Sequence, residues 1–411
     1  MLIFINRFFH PDHSATSQML GDLAFELARE GERVTVLASR LRYDDERARL
    51  PARETVRGVT IIRLWSTRFG RAKLFGRGID YLTFYLSAGL AVLRYAGRGD
   101  VVVTKTDPPM LAVVTGTMAR LKGAVPVNWL QDLFPEVAEM VGPGRGALSR
   151  LAYGTMRLLR NASLRAARMT VVIGHRMYDR VLALGIPADR IRVIANWADE
   201  DTIRPIAASA NPLRARWGLE DAFVVGYSGN LGRAHDHDTL AAAIVAVAAA
   251  RPRRRIVWLF IGGGAGAEEL KAAANADQMA SVIFQPYQPR DHLALSLGVA
   301  DVHLVTLRAD LEGCIVPSKT YGIAAAGRAQ IFIGDPQGEV AAMLARSGAG
   351  MTVAQGDSDA LAAAILDLHD DDARCRAMGQ RARATFEQLH TKATAVIAWE
   401  KVLSEVRPAR A

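Results

Sequence analysis

The sequence predicts an α/β protein made of two doubly wound, parallel-sheet domains of Rossmann-like style. Three observations carry that prediction. At 411 residues the chain is long for one hydrophobic core, so about two domains are expected. Short continuous apolar runs alternate with helical patterns in both halves, as parallel strands buried on both faces require. A stretch rich in Ala, Pro and Asn, RPIAASANP (204–212), separates the halves. The predicted domains are 1–205 and 206–390, with 391–411 forming a helix that returns to the first domain.

In the first half the strand-like runs are LIFIN (2–6), RVTVLAS (33–39), VTIIRLW (59–65), DVVVTKT (100–106), VPVNWLQ (125–131), MTVVIG (169–174) and IRVIAN (191–196). In the second they are FVVGYSG (223–229), IVWLFIGGG (256–264), VIFQPY (282–287), VHLVTL (302–307), AQIFIG (329–334) and AGMTVA (349–354). Ligands of such sheets bind at the carboxyl ends of the strands, so two of them face to face predict a central cleft.

Composition narrows the class. Half of the residues are hydrophobic and 23% are charged, an ordinary globular balance. Cys314 and Cys375 are the only cysteines and lack metal spacing, which fits a reducing cytoplasm. The chain enters a strand at once, so no signal peptide is expected. The apolar run 81–93 is too short to span a bilayer. Charge is uneven: residues 1–205 hold 30 basic and 20 acidic side chains, a net +10, whereas 206–411 hold 21 and 22, a net −1. The first half therefore calls for an anionic partner, a membrane surface or a nucleic acid.

The most informative stretch is EGCIVPSKTYGIAAAGRAQIFIGDPQGE (312–339). A loop with Pro317, Ser318 and Lys319 runs into a short small-residue helix ended by Gly327. A helix start, a hydroxyl and an ammonium together suit a diphosphate, though a plain Ser318-capped connection fits the same residues. Two glycine-rich strand–helix turns accompany it. In YSGNLGRAHDHD (227–238), Gly229, Asn230 and Gly232 can approach phosphate or sugar, and Arg233 adds charge. In FIGGGAGAEEL (260–270), Gly262, Gly263 and Gly264 precede a helix. Neither fits G-x-G-x-x-G, and tight turns alone explain such glycines. Three such loops on one sheet edge can enclose a nucleotide diphosphate.

In the first half, NRFFHPDHSATSQML (6–20) places His10, Asp12, His13, Ser14, Thr16 and Ser17 after the first strand. They suit sugar hydroxyls, proton transfer or helix capping. NWLQDLFPEVAEM (128–140) ends another strand with Asp132 and Glu136. No Ser/His/Asp series, H-E-x-x-H or Cys/His cluster occurs. The spacings DHD (236–238), DSD (357–359) and DDD (370–372) read as helix-start or surface carboxylates, so no metal is expected. From 55 to 79 there is no acid, and Arg57, Arg63, Arg68, Arg71, Lys73 and Arg77 alternate with Trp65, Phe69 and Phe75. In a helix over 147–169, Arg150, Arg157, Arg160, Arg165 and Arg168 fall within about 140°, with Leu148, Leu151, Met156, Leu158, Leu159 and Met169 opposite. The leucine side is expected to pack on the sheet and the arginine side to face an anionic lipid surface.

With these pieces in order, the chain resembles glycosyltransferase family 4 of GT-B architecture, and within it the WbuB-like branch of bacterial cell-surface polysaccharide enzymes. The resemblance runs to about residue 390 and rests on NRFFHPD–SATSQ, TDPPML (106–111), QDLFPE, RIRVIANWADEDTIRP (190–205), YSGNLG, FIGGG and GCIVPSKTYGIAAAGR–IFIGDPQGE. It implies a retaining, metal-independent transferase with no cofactor, using a nucleotide-diphosphate sugar and a polyprenyl-diphosphate-linked glycan acceptor at the inner face of the plasma membrane. The donor would be bound by Gly229, Asn230, Gly263, Tyr287, Pro317, Ser318, Lys319, Tyr321 and Glu339. Gln285–Tyr287 would flank the base and 335–339 the donor sugar or ribose. The acceptor would meet His10, Asp12, Ser14, Thr16, Asp132 and Glu136. Lys319, Asp132 and Arg233 would act in catalysis. Arg68, Arg71, Lys73, Phe75, Arg77, Arg150 and Arg157 would dock on the membrane.

The sequence departs from the family pattern at several positions. Gly322 stands where many relatives have the second of two glutamates, with Cys314 eight residues before and Glu312 out of register. Asn230 and His235 stand where many have Arg and Lys, and Gln131 where many have His. Two other classes fit parts of the chain: a nucleotide-sugar 2-epimerase, which needs more cleft carboxylates, and a non-catalytic basic membrane- or nucleic-acid-binding protein.

Overall fold

The structure is a computed structural model that describes residues 1–12, 14–42, 49–70, 74–142, 146–276 and 281–407. It divides into two compact units. The first comprises Met1–Ala195, Gly313–Ile315 and Ala395–Ala411, and the second Asn196–Glu312 and Val316–Thr394. The expected linker, 204–212, thus lies inside the second unit.

The first unit runs β1 (Leu2–Ile5), α1 (Ala15–Arg29), β2 (Val34–Ser39), β3 (Arg53–Val56), β4 (Val59–Leu64), α2 (Leu74–Tyr95), β5 (Val101–Lys105), α3 (Leu111–Leu121), β6 (Val125–Trp129), α4 (Glu136–Val141), α5 (Ala147–Ala166), β7 (Met169–Val172), α6 (His175–Ala183) and β8 (Ile191–Val193). Its sheet has the order β3-β4-β2-β1-β5-β6-β7-β8. All pairs are parallel except β3–β4, an antiparallel edge hairpin. Arg57 (φ 49°) and Gly58 (φ 83°) make its turn, both left-handed as a two-residue hairpin demands. Strand β3 is absent from the sequence reading because RETV alternates exposed and half-buried and has no apolar run. The C-terminal helix counts with this unit from Ala395 on. Trp399 lies 4.6 Å from Trp129, ring to ring, and Arg192 pairs with Glu405 at 2.7 Å.

One expectation holds only in part, for Arg150, Arg165 and Arg168 face solvent and Met169 is buried as expected, but the leucines and Arg160 depart from it. Helix α5 turns Leu148, Leu151 and Leu158 to solvent and buries Arg160. Arg160 grips Glu136 of α4 with both Nη atoms, at 3.1 and 2.8 Å, and donates to the Phe134 carbonyl at 3.0 Å. Arg157 is paired with Glu139 and lies 3.7 Å from Glu136. A helical projection says which residues share a side. It does not say which side finds partners, and here α4 supplies carboxylates that draw two arginines inward.

The second unit runs α7 (Pro212–Arg216), β9 (Phe223–Asn230), α8 (Asp238–Ala249), β10 (Ile256–Gly263), α9 (Ala265–Ala276), β11 (Val282–Gln285), α10 (Leu293–Gly298), β12 (Val302–Thr306), α11 (Lys319–Ala325), β13 (Ala329–Gly334), α12 (Glu339–Ser347), β14 (Gly350–Ala354), α13 (Ser358–Asp370) and α14 (Asp372–Leu389); α15 (Lys392–Val406) begins here. Its sheet, β11-β10-β9-β12-β13-β14, is parallel throughout. Phe223, Trp258, Leu304 and Ile331 fill one face beneath α8 and α13. The three D-x-D sites serve helix starts. Asp357 accepts from Ala360 N–H and Asp371 from Arg374 N–H, while Asp236 accepts from Thr239 N–H at 3.2 Å.

Candidate active site

In the second unit the site-bearing loops follow the carboxyl ends of β9, β10 and β12 and lead into α11. Strands β9 and β10 stay in register to their last residues, Gly262 opposite Gly229 and Gly263 opposite Asn230. The two glycine turns therefore touch backbone to backbone. A Cβ at Gly262 (φ 130°) would strike the Gly229 carbonyl, and one at Gly264 (φ 119°) would strike Asn230 Oδ1 and the Leu231 carbonyl. These two glycines are packing requirements. Gly229 (φ 115°) differs, because a Cβ there would meet only Lys319 Cε and Nζ, each at 3.8 Å. Tyr287 lies against the β10 turn, 3.7 Å from a Cβ placed on Gly263, with its ring largely exposed. Asn230 and Arg233 are exposed.

Lys319 is the first residue of α11. Thr320 and Gln330 anchor that helix to β13, Thr320 Oγ1 donating to Gln330 Oε1 at 2.6 Å and Gln330 Nε2 donating to the Thr320 carbonyl at 3.1 Å. The Lys319 ammonium sits 3.7 Å above the Tyr227 ring. Its Nζ is buried and has no hydrogen-bond partner. Burial pushes its pKa down to about 7. His235, where the family resemblance implies a lysine, gives no charge. Its Nδ1 is 2.7 Å from the Thr306 carbonyl, and burial, then Lys319, push it down to about 3. On that hydrogen bond Nδ1 carries the proton.

Other expectations shift. Ser318 has helical dihedrals at the N-cap and no side-chain cap bond. The N–H groups of Thr320 and Tyr321 are already taken by the Pro317 and Ser318 carbonyls, at 3.3 and 3.2 Å. With only seven residues in α11, the expected helix-dipole cradle gives way to the lysine. Pro317 is buried. Tyr321 is buried with its ring 4.9 Å from His390, a core position, and burial raises its hydroxyl pKa. Gly322, where the family resemblance implies a glutamate, faces Leu297 and Ile203, an apolar lining. Glu312 lies at the start of α12, where its Oε1 accepts the Glu339 N–H at 2.9 Å and its Oε2 occupies the space that a Gly338 side chain would need. The sequence signal for that cap was Gly338 before an acidic first turn.

In the first unit, strands β5 and β6 bring Lys105, Asp107 and Asp132 together. Asp132 is accessible to solvent yet crowded by protein, and the crowding pushes its carboxyl up to about 6; Asp107 adds to this and Lys105 opposes it. Lys105 is 1% exposed, lies 3.7 Å above the Trp129 ring and donates to the Thr16 carbonyl at 3.0 Å. Burial lowers its pKa strongly, while Asp107, Asp22 and Asp132 raise it. A cavity of about 30 Å³ lined by Lys105, Asn128 and Asp132 completes the group. The sequence reading missed Lys105; its signal was a lysine inside the apolar run VVVTKT.

Asp12 is buried and accepts the Ser14 N–H at 2.9 Å, a turn before α1. Ser14 makes no side-chain cap, and its Oγ is buried without a partner. Thr16 is half-buried and contributes its carbonyl to Lys105. His10 is exposed, edge-on to Phe25 at 5.6 Å. Glu136, expected to meet the acceptor, is instead fully engaged by Arg160. Of the docking set, Arg68, Phe75 and Arg150 are exposed and Arg77 and Arg157 half-buried; Arg71, Lys73 and the candidate His13 lie outside the described residues. A larger hollow of about 770 Å³ opens at the strand starts of the second unit, but Arg214 there is paired with Asp301 and Arg254 with Asp372.

Comparison with known proteins finds matches in both halves of the chain. Residues 15–197 match the family model described as a glycosyl transferase 4-like domain, and residues 222–371 match glycosyl transferases group 1. The chain is 27% identical over 345 residues to a probable glycosyltransferase, WbjE of Pseudomonas aeruginosa, covering 83% of this chain and 82% of that one. Solved structures share the fold. Sucrose-phosphate synthase from Thermosynechococcus elongatus has a TM-score of 0.74 at 18% identity, over 98% of both chains. HepE of Anabaena, solved with UDP and glucose, has 0.71 at 16% over 98% and 99%. WaaG, a glycosyltransferase involved in lipopolysaccharide biosynthesis, has 0.69 at 13% over 99% of both. The two family models together take in most of the chain in the expected order, and the chain belongs to the family-4-type glycosyltransferases of GT-B fold.

Proposed function

We propose that this glycosyltransferase is a retaining enzyme that moves a sugar from a nucleotide-diphosphate sugar to a polyprenyl-diphosphate-linked glycan in cell-surface polysaccharide synthesis, at the cytoplasmic side of the membrane. The observation that carries the donor half is Lys319 Nζ, buried over Tyr227 with no hydrogen-bond partner. A buried ammonium without an anion is unfavourable, and a diphosphate beside Gly229 would relieve it. Neutral His235 leaves Lys319 to counter the charge that grows on the leaving group. Tyr287, exposed beside the β10 turn, suits a base. UDP and UDP-glucose complexes of HepE support this assignment by fold.

In the reaction, the bond between the sugar's anomeric carbon and the β-phosphate oxygen breaks and leaves oxocarbenium character on the sugar. The acceptor hydroxyl attacks from the same face, and its proton passes to the departing phosphate. Lys319 stabilises that phosphate, with Arg233 at the exposed rim. In the first unit Asp132 and His10 orient the acceptor, and Asp132 accepts a hydroxyl hydrogen bond when ionised. Glu136 and Tyr321 have no part in it.

Calorimetric titration of UDP, GDP, ADP and dTDP into the full chain tests the donor assignment. One nucleotide should bind to the wild type and lose about a hundredfold in affinity in Lys319→Met. Equal affinity in both proteins, or no binding of any nucleotide, would sink it.

A further inference from the structure

We propose that the first unit docks on an anionic lipid bilayer by inserting the outward leucines of α2 and α5 among the headgroups, with arginines as a rim rather than as the contact itself. The proposal gives the lipid-linked acceptor reading its means of access, and it stands on a separate observation. A helix at the surface of a globular protein normally turns its apolar stripe to the core. Helix α2 does so with Phe84, Ala88 and Val92, yet Leu82, Leu86 and Leu90, spaced by four, are 56–67% exposed. On α5, Leu148, Leu151 and Leu158 are 69–81% exposed. Helix α3 packs against both, so the two stripes flank one helical layer, and Leu121 at the end of α3 is exposed as well.

The charges decide the occupant. In α2, α3 and α5 the only acidic residue is Asp80, which is buried and holds Thr67 Oγ1 and the N–H groups of Phe69 and Gly70. Arg94, Arg120, Arg150 and Arg165 on the same helices are exposed. Apolar side chains with a cationic rim and no exposed carboxylate complement anionic lipid. A second copy of this face would set arginine against arginine across a two-fold axis. No helix among the described residues is long and apolar enough to cross a membrane, so the layer lies in the interface.

Topology supplies the orientation. Helices α2 and α5 follow β4 and β6 in the chain, so their first turns stand at the carboxyl edge of the sheet. Phe75, Leu148 and Leu151 belong to those turns, and exposed Trp65 and Phe69 precede α2. Lys105 ends β5 and Asp132 follows β6 at the same edge. A headgroup-borne acceptor would meet these polar residues without leaving the bilayer surface.

Trp65 makes the test specific, since Trp129, Trp197, Trp258 and Trp399 are buried and Trp217 half-buried. The full chain would be floated with phosphatidylglycerol/phosphatidylcholine vesicles, plain or carrying brominated acyl chains, at low salt and at about 0.5 M salt, where surface electrostatics are screened. Expected are co-flotation that survives in large part at high salt and quenching of Trp65 fluorescence that disappears in Trp65→Phe. Leu86→Glu with Leu151→Glu should lose about a hundredfold in vesicle affinity, near tenfold per leucine. The milder Leu86→Gln/Leu151→Gln pair should fall in between, with unchanged thermal unfolding and nucleotide affinity. Binding without quenching, full release by salt, or wild-type flotation of the leucine variants would overturn the proposal. So would a dimer in light scattering that those variants split. Failure of nucleotide binding would instead strike the donor assignment and leave this one standing.

Discussion

Each unit buries one lysine over an aromatic ring at the same distance, 3.7 Å: Lys105 over Trp129 in the first and Lys319 over Tyr227 in the second. What surrounds them differs. Lys105 donates to the Thr16 carbonyl and stands among Asp107, Asp22 and Asp132. Lys319 has the ring alone; its Nζ has no hydrogen-bond partner. Around Lys105 a hydrogen bond and nearby carboxylates offset part of the desolvation cost, although burial still lowers its pKa strongly, whereas no hydrogen bond does so for Lys319. The first lysine is thus tied into its unit by a hydrogen bond, and the second is the one the proposed donor site gives to an anion.

The comparison breaks most visibly through stability. Lys105→Met leaves the part-buried Thr16 carbonyl without its donor, which should cost about 1–3 kcal/mol in urea unfolding of the full chain. Nucleotide affinity should stay unchanged. Lys319→Met should do the reverse, losing about a hundredfold in nucleotide affinity with stability equal or higher, because an uncompensated charge has gone. If both variants unfold alike, the lysines are equivalent and the site assignment fails. Arg160→Met provides a further contrast, since Glu136 would lose its bidentate partner and destabilise the first unit by about 3 kcal/mol without the vesicle-affinity loss expected of the leucine variants.

Much of the fold was legible, since all thirteen apolar runs are strands of the two sheets. Continuous burial on both faces leaves a plain trace in composition. What escaped were features decided by partners distant in sequence. The outward side of α5 depends on Glu136 and Glu139 of α4. Glu312 caps a helix twenty-seven positions on. Gly262 and Gly264 look like ligand glycines, but their φ angles serve the contact of two turns. Lys319 and Asp132 were identifiable as polar residues at strand–helix loops. Lys105 was not, because a lysine in an apolar run looks like an edge position until the sheet order puts β5 between β1 and β6.

A pH profile sharpens the same contrast with a smaller effect. Lys319, lowered to about 7 by burial, must be protonated to hold a diphosphate, and the bound anion favours that form. Donor affinity is therefore full below pH 7 and falls as pH rises, by at most about tenfold per unit, until the complex itself deprotonates. Asp132, raised to about 6, works as an acceptor only when ionised, so acceptor use should fall below pH 6. The kcat/KM profile should be a bell with limbs near those values. Asp132→Asn should abolish the acid limb alone, and Lys319→Arg should move the alkaline limb beyond the accessible range. Two limbs that survive both substitutions would belong to other groups.

The smallest expected effect separates the lysine from the loop that carries it. Ser318 sits at the N-cap of α11 without a side-chain cap bond, and carbonyls of Pro317 and Ser318 already take the first internal N–H groups. Ser318→Ala therefore removes no structural hydrogen bond, and thermal unfolding should not move. A hydroxyl that meets a phosphate contributes a single bond, so nucleotide affinity should fall about fivefold. That is well short of the Lys319→Met loss, because a neutral donor exchanges water for phosphate almost evenly, whereas the ammonium is already stripped of water before the ligand arrives. If Ser318→Ala costs as much as Lys319→Met, the loop recognises the diphosphate through an ordered donor set rather than through one desolvated charge, and the contrast between the two buried lysines no longer explains where the nucleotide binds.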